Sequence, residues 1–251
     1  MQLTVVNFIS VKQINLKCFS ASFVFKSMSI KELAIGLIEG RITKSAWVRA
    51  VRAWPGSDFY EIDLEAPDAD FSAFKGTAHM KCRVAPLIFR DYTICRWDAA
   101  SKTCTLMIDA GHQGPGSNWA KQVQKAGSLP YVGIEAHRCP VAAYPDLFFF
   151  GDQSALGHFL ALQQLAGADK QIGGAIFMPD HAHQDHFRQH YPALPLTPVY
   201  TKDNLFQRLT LLKSSGQALV CLAGNSRLVA DLRRSLRKAG FAGQIHAQGF
   251  W

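Results

Sequence analysis

Apolar and polar side chains alternate in short stretches over the first half of the chain, whereas after Pro145 the apolar residues gather into unbroken runs. A period of two puts successive side chains on opposite faces of an extended strand. Residues 47–52 and 59–64 carry this strand character, and Pro55-Gly56-Ser57-Asp58 between them is a turn cluster, so the pair predicts a hairpin. Further strands are predicted over 78–84, 91–97, 104–109 and 129–133, at spacings that suit an antiparallel six-stranded barrel. Beyond Pro145 the runs 147–150, 175–178 and 218–223 read as strands buried on both faces. Helical stretches at 154–165 and 229–238 separate them, and that alternation predicts a parallel, doubly wound sheet. Ahead of the barrel, Ile30, Leu33, Ala34, Leu37 and Ile38 fall at helical spacing. The expected division is therefore an appendage over 1–27, a barrel domain with a leading helix over 28–143 and an α/β domain over 144–251.

Composition narrows the class. With 48% hydrophobic and 18% charged residues in 251, the chain has enough apolar material for a real core, which excludes disorder, collagen and coiled coil as its main state. The net charge of +8 suits anionic ligands, without choosing among nucleic acid, a phosphate-bearing cofactor and an acidic chelate. The 6 cysteines are scattered with no C-x-x-C pair, so neither a zinc site nor a disulfide framework is written into the spacing, and reduced thiols in a cytoplasm are expected. No apolar run approaches the roughly 18 to 20 residues of a membrane helix, so no membrane partner is expected. Residues 1–27 carry three lysines and no acid and make a poor secretory signal.

Two segments carry candidate chemistry. In Arg90-Asp91-Tyr92-Thr93-Ile94-Cys95-Arg96, period two groups Arg90, Tyr92, Ile94 and Arg96 on one strand face and turns Thr93 the other way. A ring between two guanidiniums suits a flat heterocycle with phosphate beside it, and an exposed strand face is the plainer reading. Gly114-Pro115-Gly116-Ser117-Asn118-Trp119-Ala120 leads from a strand into a helix expected over 119–125. Small residues and free amides at a helix start attract an anion such as a pyrophosphate, and the plainer reading is a capped turn.

Taken together and in this order, these segments resemble the ferredoxin-reductase-like flavoproteins, in which an R-x-Y-[ST] strand and a G-x-x-[ST] helix start bind FAD. The chain is similar, more narrowly, to the siderophore-interacting proteins. Their R-x-Y-T-x-R, G-P-x-S-x-W-A, G-D-x-[ST]-A-L and G-[YF]-W marks are matched at residues 90–96, 114–120, 151–156 and 249–251. The resemblance implies an FAD-binding barrel followed by a nicotinamide-binding α/β domain, and a reductase passing electrons from NADPH or NADH through FAD to a ferric siderophore or other ferric chelate. It implies that Arg90 meets FAD phosphate, Tyr92 packs on the isoalloxazine and Thr93 sits nearest its reactive edge. The backbone of Gly114, Pro115, Gly116 and Ser117 would hold the pyrophosphate. Gly151, Asp152, Ser154 and Ala155, at a strand-to-helix turn, would receive the nicotinamide dinucleotide, a location also favoured by sheet topology.

The chain departs from that pattern at Ala110, where the family usually has His, at Gly157, usually Pro, and at Asn225, usually acidic. His181-Ala182-His183-Gln184-Asp185-His186 matches the H-x-H-x-D-H signature of metal-dependent hydrolases, an alternative to set against a polar loop and helix start. Arg227, Arg233, Arg234, Arg237 and Lys238 lie on or beside one helix. Without interleaved aromatics they read as a solvated basic face that also suits a cofactor phosphate, and no nucleic-acid partner is expected. A basic adaptor that has lost flavin is the third reading. Phe250 is expected in strand core or near the flavin.

Overall fold

A computed structural model describes residues 43–212 and 217–250. The appendage and the helix expected over 30–42 lie outside the described residues, as does Trp251. Residues 42–251 form one compact unit. Its first half is a closed antiparallel barrel of β1 (Lys44–Ala53), β2 (Phe59–Glu65), β3 (Thr77–Ala85), β4 (Ile88–Asp98), β5 (Thr103–Asp109) and β6 (Ser128–His137), in the order β1-β2-β5-β4-β3-β6. Alternation fills it: Ile62 and Leu64, Ala78, Met80 and Cys82, Cys104, Leu106 and Ile108, and Leu129 and Tyr131 all point into one buried cluster. The turn at Gly56 has φ +65°, a left-handed conformation that glycine adopts without strain.

The second half is a parallel sheet of β7 (Asp146–Asp152), β8 (Gln171–Phe177), β9 (Thr197–Val199), β10 (Ala218–Gly224) and β11 (Gln244–Gly249), ordered β11-β10-β7-β8-β9. The short edge strand β9 contains Pro198, which cannot donate a ladder hydrogen bond and escapes recognition by pattern. The helices are α1 (Pro115–Gln122), α2 (Leu156–Ala166), α3 (His181–His190), α4 (Lys202–Thr210) and α5 (Ser226–Lys238). Helix α1 begins earlier than the expected 119–125, because Pro115 at its first turn holds φ in the helical range and gives up an amide that has no partner there anyway. The α2 segment opens with a 3-10 turn, Gln153–Ala155, and is buried from Leu156 to Leu162. Its Leu156, Phe159 and Leu160 share a core with Trp54, Phe59, Cys95 and Met107 of the barrel and with Leu147, Phe149 and Cys221 of the sheet. One apolar cluster therefore joins barrel and sheet.

Candidate functional site

A cavity of about 460 Å³ opens where β4, β5, the start of α1 and the start of α2 meet. Arg90, Tyr92, Thr93, Gly114, Gly116, Ser117 and Ser154 line it, so six of the barrel-side residues singled out by sequence come together with one from the α/β half. Pro115 begins α1 beside them. At Gly114, φ is +155° and open space lies where a side chain would stand. At Gly116 a Cβ would sit 2.5 Å from the Tyr92 hydroxyl, so only glycine lets the helix start approach this strand. The first amides of α1 have no intrahelical partners, and Gly114 offers no side chain to cap them. Ser117, 3% exposed, has an Oγ without a hydrogen-bond partner among the described residues. Tyr92 stacks on Trp119 at 6.0 Å between ring centroids, and burial pushes its phenol up, so it stays neutral.

Arg96 corrects the expectation of two guanidiniums around one ring. The β4–β5 register shifts between Cys95 and Asp98, and Arg96 has φ +48°. Such a bulge breaks the period of two. Arg96 turns away from the cavity, lies 4.6 Å over the Tyr191 ring and sits 3.4 Å from Glu61. Glu61, 5% exposed, also accepts hydrogen bonds from Trp54 Nε1 at 2.9 Å and from Tyr191. Burial works to raise its pKa, but the bonds from Tyr191 and Trp54 and the Arg96 charge outweigh it and hold the carboxyl below its usual range.

At the C-terminal end of β7 the expectations narrow. A Cβ on Gly151 would lie 2.0 Å from the Ala223 carbonyl, so this glycine serves close packing of β7 against β10. Ala155 is 0% exposed in the shared core. Neither residue lines the cavity that Arg90, Tyr92 and Ser117 share. Asp152 accepts from the Ser154 amide at 3.0 Å and the Asn225 amide at 2.8 Å. Its carboxylate thus ties together the turns that follow β7 and β10, where the direction of winding reverses. Burial pushes its pKa up despite those bonds.

The sequence reading missed His158. It lies in the first turn of α2, 1% exposed, lines the cavity, and has no partner among the described residues at either ring nitrogen. Burial, then His79 and other nearby imidazoles, pushes its pKa down to about 3. His79, 6.2 Å away between centroids, lies 3.4 Å from Thr93 Oγ1 through Nδ1 and 2.9 Å from Gln248 through Nε2. Burial and His137 push His79 down to about 4. Phe250 lines the same cavity, 5.7 Å from His158. The only sequence signal for His158 is a histidine in an otherwise apolar helix, which ordinarily marks nothing.

The histidine-rich motif does not assemble a metal centre. It forms the start of α3, whose N-terminal amides are capped by Asp180. The helix sends His181 onto Tyr200, His183 to Gln153 at 2.8 Å, Asp185 to Arg188 and His186 onto Trp54. Among the described residues no group of three or more His, Cys, Asp or Glu side chains is placed to hold a metal. Arg233, Arg234 and Arg237 line a separate, shallow depression with Ser226 and Gly249.

No protein-family profile matches the chain, and no curated protein matches it in sequence. Solved structures match in shape. A siderophore-interacting protein from Acinetobacter baumannii superimposes with TM-score 0.69 at 13% identity, over 83% of this chain and 90% of that one. The siderophore-interacting protein SipS from Aeromonas hydrophila gives TM-score 0.67 at 19% identity, over 83% and 91%. A ferredoxin NADP+ reductase from Neisseria gonorrhoeae, solved with bound FAD and NADP, gives 0.67 at 15%, over 83% and 99%. The barrel-plus-parallel-sheet architecture is therefore the ferredoxin-reductase-like fold, shared with siderophore-interacting proteins.

Proposed function

We propose that this chain is a flavin-dependent reductase that holds FAD in the cavity between barrel and sheet, takes electrons from NADPH or NADH, and delivers them to a ferric siderophore or other ferric chelate. The observation that carries this reading is the buried, unpartnered Ser117 Oγ at the uncapped start of α1, facing the same cavity as Arg90 and Tyr92. A buried hydroxyl without a partner costs about 1–3 kcal/mol, and a phosphate oxygen there would relieve it. The chemistry of the lining supports the same reading. The α1 amides and Ser117 form an anion-binding cradle, Arg90 adds a positive charge, and Tyr92 backed by Trp119 offers a flat wall to a ring system.

When bound, FAD supplies the step from two-electron to one-electron chemistry that a ferric acceptor needs. The work of the chain is then positioning. Gly116 lets α1 close on β4, Tyr92 stays uncharged against the ring, and Thr93 presents a hydroxyl whose hydrogen bonding is set by His79. Asp152 holds the switch-point turns where the dinucleotide would dock, beside Gly151, Ser154 and Ala155. The net charge of +8 favours an anionic ferric complex. The free thiols of Cys82, Cys95, Cys104, Cys139 and Cys221 support a cytoplasmic setting.

Purified protein, loaded with FAD if it emerges colourless, is expected to show bound-flavin absorbance that NADPH or NADH bleaches, and that a ferric chelate restores with release of ferrous iron. Folded protein that refuses FAD overturns the reading. A flavoprotein that ignores every ferric chelate offered removes the substrate and leaves a reductase.

A further inference from the structure

Seven buried side-chain polar atoms lack partners among the described residues, on Thr77, Ser117, Tyr131, His158, His183 and His246. Only Ser117 and His158 among these residues line the cavity between barrel and sheet, and His158 alone has two unpaired atoms. The two differ in what they ask for. Ser117 sits at a helix start suited to an anion. His158 sits beside Gly157, Met107 and Phe250, and its imidazole is neutral at any ordinary pH, with one N–H to give and one lone pair to fill. A phosphate would satisfy only the N–H and would sit beside an uncharged ring. A group that carries both a carbonyl and an N–H can meet whichever ring nitrogen faces it, as acceptor or as donor.

The first turn of α2 packs closely on β5, since a Cβ at Gly157 would stand 3.3 Å from the Met107 Cβ. His79, the nearest polar ring, is already engaged by Thr93 and Gln248. Among the described residues nothing hydrogen-bonds the buried imidazole.

We propose that His158 is a ligand-contacting residue of this cavity that hydrogen-bonds the amide edge of a heterocyclic ligand. Two ligands of the proposed reductase carry that edge: the pyrimidine ring of the isoalloxazine and the carboxamide of the nicotinamide. The inference rests on the flavin reading of the cleft and adds a residue that the motif resemblance does not supply.

The test compares wild type with His158→Leu, which removes both hydrogen-bonding atoms, and His158→Gln, which restores one donor and one acceptor. FAD is titrated into ligand-free protein and followed by fluorescence quenching. Oxidised pyridine dinucleotide is then titrated into the FAD-loaded protein and followed by difference absorbance. His158→Leu is expected to weaken one of these two dissociation constants by about tenfold, the worth of one buried hydrogen bond. Weakened FAD identifies the isoalloxazine as the source of the amide edge, and weakened dinucleotide identifies the nicotinamide. His158→Gln is expected to recover most of the loss, and the melting temperature of ligand-free His158→Leu to hold or rise, since an uncompensated polar group has been removed. Unchanged constants for both ligands overturn the proposal. A loss that Gln fails to recover, accompanied by a fall in melting temperature, overturns it too, because that pattern belongs to packing. A wild-type chain that takes up no FAD fails the flavin reading itself and takes this inference with it, an outcome distinct from tight binding that ignores residue 158.

Discussion

The seam between barrel and sheet has two ends with opposite chemistry. At one end Glu61 is buried with Trp54, Tyr191, Arg52 and Arg96 all bonded or paired to it. At the other, Ser117 and His158 are buried with no side-chain hydrogen bond from any described residue, and both face the cavity. Folding alone favours the first arrangement, since a satisfied polar network holds two layers in register. It disfavours the second, since each unpaired group subtracts from stability. The contrast separates the part of the seam that joins the halves from the part where the proposed ligand would sit.

The largest expected effect breaks the closed end. Glu61→Ala leaves Trp54 Nε1 and the Tyr191 hydroxyl buried without an acceptor and should cost about 3 kcal/mol in urea unfolding. A loss under about 1 kcal/mol would show that water reaches these groups and that the network does not bind the halves. Next, Gly116→Ala puts a methyl group against the Tyr92 hydroxyl. It should displace Tyr92 at a cost of about 1–3 kcal/mol and reduce FAD retention, read by the flavin absorbance remaining after gel filtration. Tyr191→Phe removes a single hydrogen bond to a carboxylate and should cost about 1.5 kcal/mol in the same unfolding assay, with FAD retention unchanged.

The smallest stability effect should come from the open end. Ser117→Ala is expected to leave the ligand-free protein within about 0.5 kcal/mol of wild type, or slightly above it, while weakening FAD severalfold in a fluorescence titration. If it destabilises ligand-free protein as much as Tyr191→Phe does, the open end is not open. The pH dependence sharpens the same comparison. Glu61 has its folded pKa held below the usual carboxylate range, so its contribution is present above the unfolded value of about 4.3 and lost as pH falls through the folded value. The stability gap between wild type and Glu61→Gln should therefore shrink in acid below about pH 4 and stay constant from pH 6 to 8, measured by urea midpoints.

How far the sequence reaches follows from which interactions are local. The two hydrophobic grammars, alternating and then continuous, are set by strand periodicity and burial on one face or two, and the six barrel strands and strands β7, β8 and β10 appear near where that reasoning puts them. Arg90, Tyr92, Thr93 and the Gly114 to Ser117 turn meet at one cavity, as their motifs imply, because each motif is a few residues long and carries its own backbone geometry. The edge strand β9 and helix α4 escape notice, since an edge strand needs little apolar content.

What the tertiary structure alone decides is pairing across distance. Glu61 meets Tyr191 across 130 residues, and nothing near either position announces it. A bulge in β4 sends Arg96 away from the ring its spacing suggests, and the touching backbones of β7 and β10 turn Gly151 into a packing residue. His158 becomes notable only once the described residues around it are placed and none of them bonds its ring. Local pattern is written in the order of residues because helices and strands satisfy their own backbones. A buried side chain takes its meaning from what the folded chain puts beside it, and from what it leaves out.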